Sequence, residues 1–322
     1  MAILNLLDLQ PTSISCDLRN KYILLYGKPK VGKTSFAAQC PNNLILCFEK
    51  GVNFLPGVYA ADVPKWTDFK ALLKQLDKEE VKEKFHTVTI DTISIAWTLC
   101  EQYICSQNNV RALGDIPWGK GYALLKDEFA NALRQISMMG YGIILITHAK
   151  IVNKKADDEN SQETISPNIP ERAQDIVNAL VDIIGYIDVQ YADDGITSTR
   201  TLITRGTSTV TAGSRLKYLD ARIPFGYNEL TKAISSAIEK QAVLDGAKVT
   251  EKDETQQIII KRPFEETVAE AKVLWERLVN EDKAHLIMEK VENLFGQPIR
   301  LSEIPESQQD IFELLIEEMR SL

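Results

Sequence analysis

Residues 22–34 read YILLYGKPKVGKT, an apolar run that passes directly into a polar loop with two glycines. The run Tyr22–Tyr26 predicts a buried strand, because short apolar segments bounded by turn residues suit the interior of a sheet. The loop Gly27–Thr34 matches the pattern G-x-x-x-x-G-K-[ST] at every fixed position. In that pattern the glycines let backbone N–H groups face phosphate oxygens, and the helix that follows adds the positive end of its dipole. The sequence therefore predicts a phosphate site between a strand and a helix.

Each residue of this loop has an expected task in holding a nucleotide. Lys33 should reach the β- and γ-phosphates, and the hydroxyl of Thr34 should bind Mg²⁺. The other residues predicted to bind the nucleotide are Gly27, Lys28, Pro29, Lys30, Val31, Gly32 and Ser35. ATP and Mg²⁺ are the predicted cofactors. A chance match to the pattern is the alternative, and both the strand before the loop and the helix after it argue against chance.

Three more apolar runs alternate with helical patterns along the chain. Each run is followed by a polar residue: LILCF by Glu49, TVTI by Asp91 and GIILIT by His148. Nearly continuous apolar strands that alternate with helices predict a parallel sheet covered on both faces. Ligands of open α/β sheets bind at the carboxyl ends of the strands, so these three side chains should converge on the phosphate loop.

Asp91 is predicted to hold the same Mg²⁺ as Thr34, usually through water. The alternative is that Asp91 is an ordinary strand-end residue that caps the helix predicted from Ile93. The place of Asp91 beside the predicted phosphate loop favours the metal. Thr92, the next residue, either positions the attacking water or caps that helix.

The order of these features resembles that of the RecA-type ATPases: a phosphate loop, a strand ending in Glu, a strand ending in Asp-Thr and a strand ending in a polar sensor. The resemblance implies an α/β fold with a RecA-like parallel-sheet core and antiparallel edge strands. It implies catalytic roles for Lys33 and for Glu49, which would activate the water that attacks the γ-phosphate. His148 stands where the family carries a glutamine that senses the γ-phosphate. A histidine there is similar to the phage single-strand-annealing (Sak-type) group of these ATPases and to some hexameric helicase-type cores.

Two loops extend the resemblance to DNA binding. Asn108–Gly121 is similar to the first DNA-binding loop of RecA proteins. Ile151–Glu171, which lies within a long mobile loop predicted over Ile151–Ala173, corresponds in position to the second. Cations beside an aromatic face are what single-stranded DNA requires. The residues predicted to bind DNA are Arg111, Trp118, Lys120, Lys150, Lys154 and Lys155. Against this hypothesis, acidic residues between 157 and 163 nearly cancel the lysines of the second loop.

Residues Gly213–Pro224 resemble the final strand and turn of the phage group. By that resemblance, Arg215 or Lys217 reaches the γ-phosphate of a neighbouring subunit as an arginine-finger equivalent. Arg205 is a further candidate, and surface cations without such a role are the open alternative. A finger acting between subunits implies a homo-oligomer, either a ring or a short filament, with ATP between its subunits.

The chain divides by pattern into an N-terminal arm 1–20, a RecA-like core 21–245, a linker 246–262 and an acidic helical region 263–322. The net charge of the whole chain is −8, and residues 251–322 alone hold 17 acidic and 9 basic residues. All of the negative excess therefore lies in the last quarter. This placement excludes a uniformly basic nucleic-acid binder but leaves room for a local basic groove.

The remaining composition is that of an ordinary globular protein. No apolar run approaches the ~18–20 residues that cross a bilayer, and the start lacks the basic and cleavage regions of a signal peptide. Five cysteines without paired spacing predict reduced thiols rather than disulfides. We therefore expect no membrane partner and a cytoplasmic location, which is the host cytoplasm if the chain is phage-encoded.

These observations favour an ATPase stimulated by single-stranded DNA, with an annealing or recombinase-like role in phage recombination or replication. The resemblance adds a single-stranded-DNA-binding protein as a partner. Only about twenty residues precede the first strand, too few for the polymerisation helix of full-length recombinases. The alternative is an ATP-switched helicase loader or regulator that contacts protein rather than DNA. A small-molecule kinase is disfavoured, because Glu49 and His148 suit attack by water and no arginine-rich lid is visible.

Overall fold

The computed structural model describes residues 14–15, 21–153, 163–250 and 263–322. They belong to two compact units, an α/β unit that extends to residue 250 and a helical unit from residue 263. Lys154 and Lys155, two of the predicted DNA-binding residues, lie outside the described residues. So do most of the predicted N-terminal arm and most of the predicted linker.

The α/β unit alternates strands and helices. Its strands are β1 (Ile14–Ser15), β2 (Tyr22–Gly27), β3 (Asn43–Cys47), β4 (Tyr59–Asp62), β5 (Thr87–Asp91), β6 (Gly142–Asn153), β7 (Glu163–Pro167), β8 (Ile183–Tyr191), β9 (Ser198–Ile203), β10 (Gly213–Ser214), β11 (Arg222–Pro224) and β12 (Val249–Thr250). Its helices are α1 (Lys33–Ala38), α2 (Trp66–Leu76), α3 (Glu79–Lys84), α4 (Ile93–Gln107), α5 (Lys120–Met138), α6 (Glu171–Leu180) and α7 (Tyr227–Asp245). Short 3-10 turns precede α5 at Leu113–Asp115 and Pro117–Gly119.

Ten of the described strands form one sheet in the order β11-β9-β8-β2-β6-β5-β3-β4, with β7 paired to β6 and β10 to β8. The strands from β8 to β4 run parallel, whereas β7, β9, β10 and β11 pair in antiparallel fashion. β1 pairs separately with β12. Gly27 at the end of β2 lies in register with His148 of β6. The predicted fold, a mostly parallel core with antiparallel edge strands, is confirmed.

Helices cover both faces of the sheet, because its central strands are apolar on both sides. One face packs against α2, α4, α5 and α6, where the rings of Trp66 and Trp97 lie 6.0 and 5.0 Å from that of Phe129. The other face packs against α1 and α7 around Phe36 and Ile234. Each fully buried apolar side chain of this size contributes about 1.5–3 kcal/mol. The strand ends, and the polar residues on them, are therefore held in fixed positions.

The prediction of a continuous loop over 151–173 is wrong in its described parts. β6 does not end at His148 but continues to Asn153, and β7 returns beside it with Ile151 opposite Ile165. α6 begins at Glu171. The two strands pair their backbone N–H and C=O groups with each other, so they need no alternation of apolar residues. Because the sequence analysis depends on apolar patterns, these polar strands are not recognised in it. We call the described residues 149–153 and 163–167 the β6–β7 ribbon.

Smaller errors of prediction occur at the edges of the sheet. The sequence also predicts a strand over Ser208–Ala212, and this prediction is wrong. Among the described residues its strand pairing is limited to an isolated bridge between Val210 and Ile165, and the strand forms instead at β10. β4 is absent from the sequence prediction, because it is a largely exposed edge strand without a clear apolar pattern. Glu79, Glu80 and Glu83, which the sequence assigns to a charged helix, lie on α3, and this helix buries none of its residues.

The helical unit contains α8 (Phe264–Asn280), α9 (Ala284–Phe295) and α10 (Gln309–Ser321), with 3-10 turns at Leu301–Glu303 and Glu306–Gln308. The helices enclose an apolar core that includes Leu278, Ile287 and Phe312. The buried carboxylate of Glu313 accepts a hydrogen bond of 2.6 Å from the Thr267 hydroxyl. The predicted α-helical appendage is confirmed. None of the helices that the structure describes is long and apolar enough to cross a membrane.

Candidate nucleotide site

The phosphate loop joins β2 to α1 in the middle of the sheet. Gly27 ends β2, and α1 begins at Lys33 and is anchored by the buried Phe36. Gly32 has a φ of +101°, a conformation that suits glycine because it has no Cβ. Lys30 also has a positive φ, of 63°. The loop therefore curls between the end of a rigid strand and the start of a packed helix, at the carboxyl end of the parallel strands.

Lys33 is turned back into the loop. Its Nζ donates hydrogen bonds to the carbonyl oxygens of Gly27 (3.2 Å) and Lys28 (2.8 Å) and lies 3.4 Å from Nδ1 of His148. Burial lowers the pKa of the Lys33 ammonium, and the nearby carboxylates of Asp91 and Glu49 act in the opposite direction. The ammonium is thus held where β2 ends beside His148 of β6.

Thr34 and Asp91 form a second polar pair beside Lys33. The Thr34 hydroxyl donates a hydrogen bond of 2.6 Å to Oδ2 of Asp91 at the end of β5. Burial raises the pKa of the Asp91 carboxyl; the hydrogen bond from Thr34 acts to lower it and the Glu49 carboxylate to raise it. A Cβ added to Gly51 would lie 3.8 Å from the Thr34 hydroxyl oxygen and 3.9 Å from Asp91 Oδ2. The glycine therefore leaves space beside the pair.

Glu49 and His148 complete the cluster. The backbone N–H groups of Phe48 and Glu49 donate to the Asp91 carbonyl oxygen at 2.7 and 3.0 Å, which fixes the chain as it leaves β3. Glu49 Oε2 lies 3.5 Å from His148 Nε2, so the imidazole stands between Glu49 and Lys33. Both side chains are partly exposed. The structure thus brings together the side chains that the sequence predicts to converge: Lys33, Thr34, Glu49, Asp91 and His148.

The donor set at Thr34 and Asp91 suits Mg²⁺, which is usually bound by one or two carboxylates together with substrate phosphates and water. Among the described residues there is no group of three or more His, Cys, Asp or Glu side chains that could hold a metal by themselves. A Mg²⁺ ion here would therefore depend on phosphate oxygens for part of its coordination.

The structure places the predicted finger residues away from this loop. Arg215 NH1 lies 3.0 Å from Asp182 Oδ1, and its NH2 donates to the Ala179 carbonyl oxygen. Lys217 Nζ lies 2.9 Å from Asp245 Oδ1. Within the described residues, neither Arg215 nor Lys217 contacts the phosphate loop of its own chain.

The described members of the predicted DNA-binding set do not contact the phosphate loop in this structure. Trp118 is 94% exposed and has a φ of 62°, just before α5 begins at Lys120. Arg111 is exposed. Lys150, on β6, donates to the Ile169 carbonyl oxygen at 3.0 Å. Unlike the phosphate-site residues, these side chains form no common cluster through the contacts described.

Two arginines were missed by the sequence analysis. The guanidinium of Arg172 in α6 lies 3.8 Å from the ring centroid of Tyr122 in α5. Arg200 in β9 donates from NH1 to the carbonyl oxygen of Val31 in the phosphate loop at 3.2 Å. Arg200 is 169 positions from Val31 in sequence. No sequence motif or periodicity connects the two residues. The contact becomes apparent only once β9 is placed in the antiparallel edge of the sheet.

Residues 19–216 match the family model described as AAA domain, and this match covers more than half of the chain. The chain belongs to this family, whose domain is of the P-loop ATPase type, and the family implies nucleotide binding. The chain is also similar to the SPbeta prophage-derived uncharacterized protein YorG of Bacillus subtilis (strain 168). The two are 26% identical over 326 residues, which cover 97% of each chain.

Proposed function

We propose that this protein binds and hydrolyses ATP with Mg²⁺ and acts on single-stranded DNA in phage recombination or replication, as a member of the Sak-type annealing group. The observation that carries the ATPase part is the cluster of Lys33, Thr34, Glu49, Asp91 and His148 around one phosphate loop. The phage context is supported by the prophage origin printed in the name of the similar Bacillus subtilis protein.

The phosphate loop binds the triphosphate. Its backbone N–H groups and the start of α1 present positive charge to the phosphates. Lys33 Nζ, which donates to Gly27 and Lys28 in this structure, exchanges those carbonyl oxygens for phosphate oxygens. Thr34 and Asp91 hold Mg²⁺. The ion, when bound, neutralises charge on the phosphates.

Glu49 accepts the proton of the attacking water. Its carboxylate is partly exposed and lies two residues after the end of β3, so a water molecule can approach both Glu49 and a bound γ-phosphate. His148 lies within 3.5 Å of Glu49 Oε2 and within 3.4 Å of Lys33 Nζ. The imidazole therefore contacts both the base and the phosphate-binding cation, which is where a γ-phosphate sensor is required.

The same strand connects the sensor with the proposed DNA surface. The His148 carbonyl oxygen accepts a hydrogen bond of 2.7 Å from the Asn168 N–H, and the Thr147 hydroxyl donates to the Asn168 carbonyl oxygen at 3.0 Å. Asn168 lies directly after β7 and three residues before α6. A shift of His148 on ATP binding thus moves the end of the β6–β7 ribbon, and in this way the nucleotide controls DNA contact.

The remaining assignments are also part of the proposal. Arg111, Trp118, Lys120, Lys150, Lys154 and Lys155 contact DNA, and Arg215 acts on the nucleotide of a neighbouring subunit in a ring or short filament. The acidic region 263–322 competes with DNA for basic residues or docks a partner such as a single-stranded-DNA-binding protein. The core is assigned to 21–245, with 1–20 as an arm and 246–262 as a linker.

The test is ATP turnover of the full chain with and without single-stranded DNA, together with filter binding of that DNA with and without a non-hydrolysable ATP analogue. We expect turnover to rise with DNA and DNA retention to rise with the analogue. ATP turnover that DNA leaves unchanged, together with no DNA retention, would remove the DNA part and favour the ATP-switched loader or regulator, whose partner is a protein. Absence of ATP binding would remove the whole proposal.

A further inference from the structure

An arginine from the antiparallel edge of the sheet contacts the phosphate loop. β9 lies two strands away from β2, and Arg200 on β9 extends back so that its NH1 donates to the Val31 carbonyl oxygen at 3.2 Å. Val31 is two residues before Lys33, within the segment whose backbone N–H groups face a bound phosphate. Arg200 therefore holds the loop through a backbone carbonyl group and leaves the backbone N–H groups of the loop available to phosphate oxygens.

The guanidinium also fills the space beside Gly32. A Cβ added to Gly32 would lie 2.6 Å from Arg200 NH1 and 3.5 Å from Cε1 of Phe225. Arg200 and Phe225 together therefore close the outer side of the loop immediately before Lys33. A side chain at Gly32 is therefore disfavoured for two reasons: it would collide with Arg200, and the φ of +101° suits only glycine.

Arg200 is held in place by an aromatic stack. Its guanidinium carbon lies 5.7 Å from the Phe225 ring centroid, within the range of a cation–π contact. The Phe225 N–H donates to the Arg200 carbonyl oxygen at 3.0 Å, and the Phe225 ring stacks on Phe36 of α1 with centroids 5.5 Å apart. The edge strands, the arginine and the first helix thus form one continuous support around the loop.

The positive charge of Arg200 is not neutralised within the described part of the chain. Its side chain is exposed, and no carboxylate there forms an ion pair with it. By contrast, Arg215 is paired with Asp182, although it is also an exposed arginine. A cation that is unpaired and lies against a phosphate loop adds to the field that attracts a polyphosphate.

We infer that Arg200 is a positioning residue of the nucleotide site, which keeps the phosphate loop shaped for ATP from its outer side. This inference rests on the proposed binding of ATP by the loop. The loop's N–H groups contact phosphates in the ground state and in the transition state alike, so loss of their support weakens both by the same factor. Such a change raises KM and leaves kcat nearly unchanged.

The experiment compares full-length Arg200→Ala, Arg200→Lys and Arg222→Ala. Arg222 is an exposed arginine on the neighbouring edge strand β11 and serves as the control. For Arg200→Ala we expect KM for ATP, and Kd for a fluorescent ATP analogue, to rise about tenfold with kcat within twofold of the parent, because a charge-assisted hydrogen bond is lost. Arg200→Lys should recover part of the affinity, and Arg222→Ala should behave like the parent.

Thermal melting separates positioning from general stabilisation. The melting temperature of Arg200→Ala without nucleotide should stay close to that of the parent, while its rise on adding ATP should shrink. An unchanged Kd, a fall in kcat at unchanged KM, or a large loss of Tm without nucleotide would each overturn the inference. Lys33→Ala is measured in parallel. If Lys33→Ala binds ATP normally, the proposed function itself fails. If Lys33→Ala loses ATP binding while Arg200→Ala binds ATP as the parent does, only the role of Arg200 is ruled out.

Discussion

Two halves of strand β6 have opposite surroundings. Residues Gly142–Thr147 are buried between β2 and β5, whereas Ile151, only four residues beyond, is 64% exposed in the β6–β7 ribbon. His148 lies at the boundary, in contact with Lys33 and Glu49. The buried half holds His148 in a fixed position beside Lys33 and Glu49. The exposed half leaves side chains such as that of Ile151 accessible to solvent. One continuous strand thus carries both a buried part of the candidate nucleotide site and the exposed surface that we propose for DNA contact.

The largest expected effect lies in the buried half. Glu49→Gln should lower kcat for ATP hydrolysis about 10²–10⁴-fold, the usual contribution of a positioned general base, while Kd for ATP changes little. Steady-state turnover and binding of a fluorescent ATP analogue measure the two quantities. Glu80→Gln, on the charged helix α3, is a matched control and should behave like the parent. Equal turnover in Glu49→Gln and the parent would remove Glu49 from the role of base.

A moderate effect is expected on the exposed side. Trp118→Ala should weaken binding of single-stranded DNA about tenfold, because stacking of a base on an aromatic ring contributes roughly 1–3 kcal/mol. Trp118→Phe should keep most of the affinity, and Tyr191→Ala should have no effect, since Tyr191 is an exposed aromatic residue on β8 outside the proposed surface. Filter binding at a fixed salt concentration measures these affinities. Normal DNA affinity in Trp118→Ala would contradict the assignment.

The smallest expected effect concerns stability. Burial raises the pKa of Asp91 above that of an unfolded chain. Between the two pKa values the folded state keeps the proton, so this carboxyl lowers stability as the pH rises through that window. Asp91→Asn, which can still accept the Thr34 hydrogen bond, should therefore melt a few degrees higher than the parent at pH 7 without nucleotide, about 2–4 °C per kcal/mol. The difference should shrink as the pH approaches the ordinary Asp pKa, and a lower Tm at pH 7 would contradict this account.

The central cluster was predictable because a parallel sheet brings the carboxyl ends of its strands to one edge. Lys33, Thr34 and Asp91 follow from the loop pattern and from a strand that ends in Asp. The β6–β7 ribbon was not predictable, because solvent-exposed strands such as that around Ile151 lack apolar alternation. Arg200 was not predictable either, since its contact with Val31 depends on how β9 folds back along β8.

Calorimetric titration of ATP into the parent and into Lys33→Ala tests the central claim most directly. The claim is that one triphosphate is bound by the loop that contains Lys33. Lys74→Ala, an exposed lysine on α2, is the control. The account predicts that Lys33→Ala loses ATP affinity by about a hundredfold or more, as expected when a buried cation is taken from a phosphate site, while Lys74→Ala binds as the parent does. Parental ATP affinity in Lys33→Ala would contradict the account.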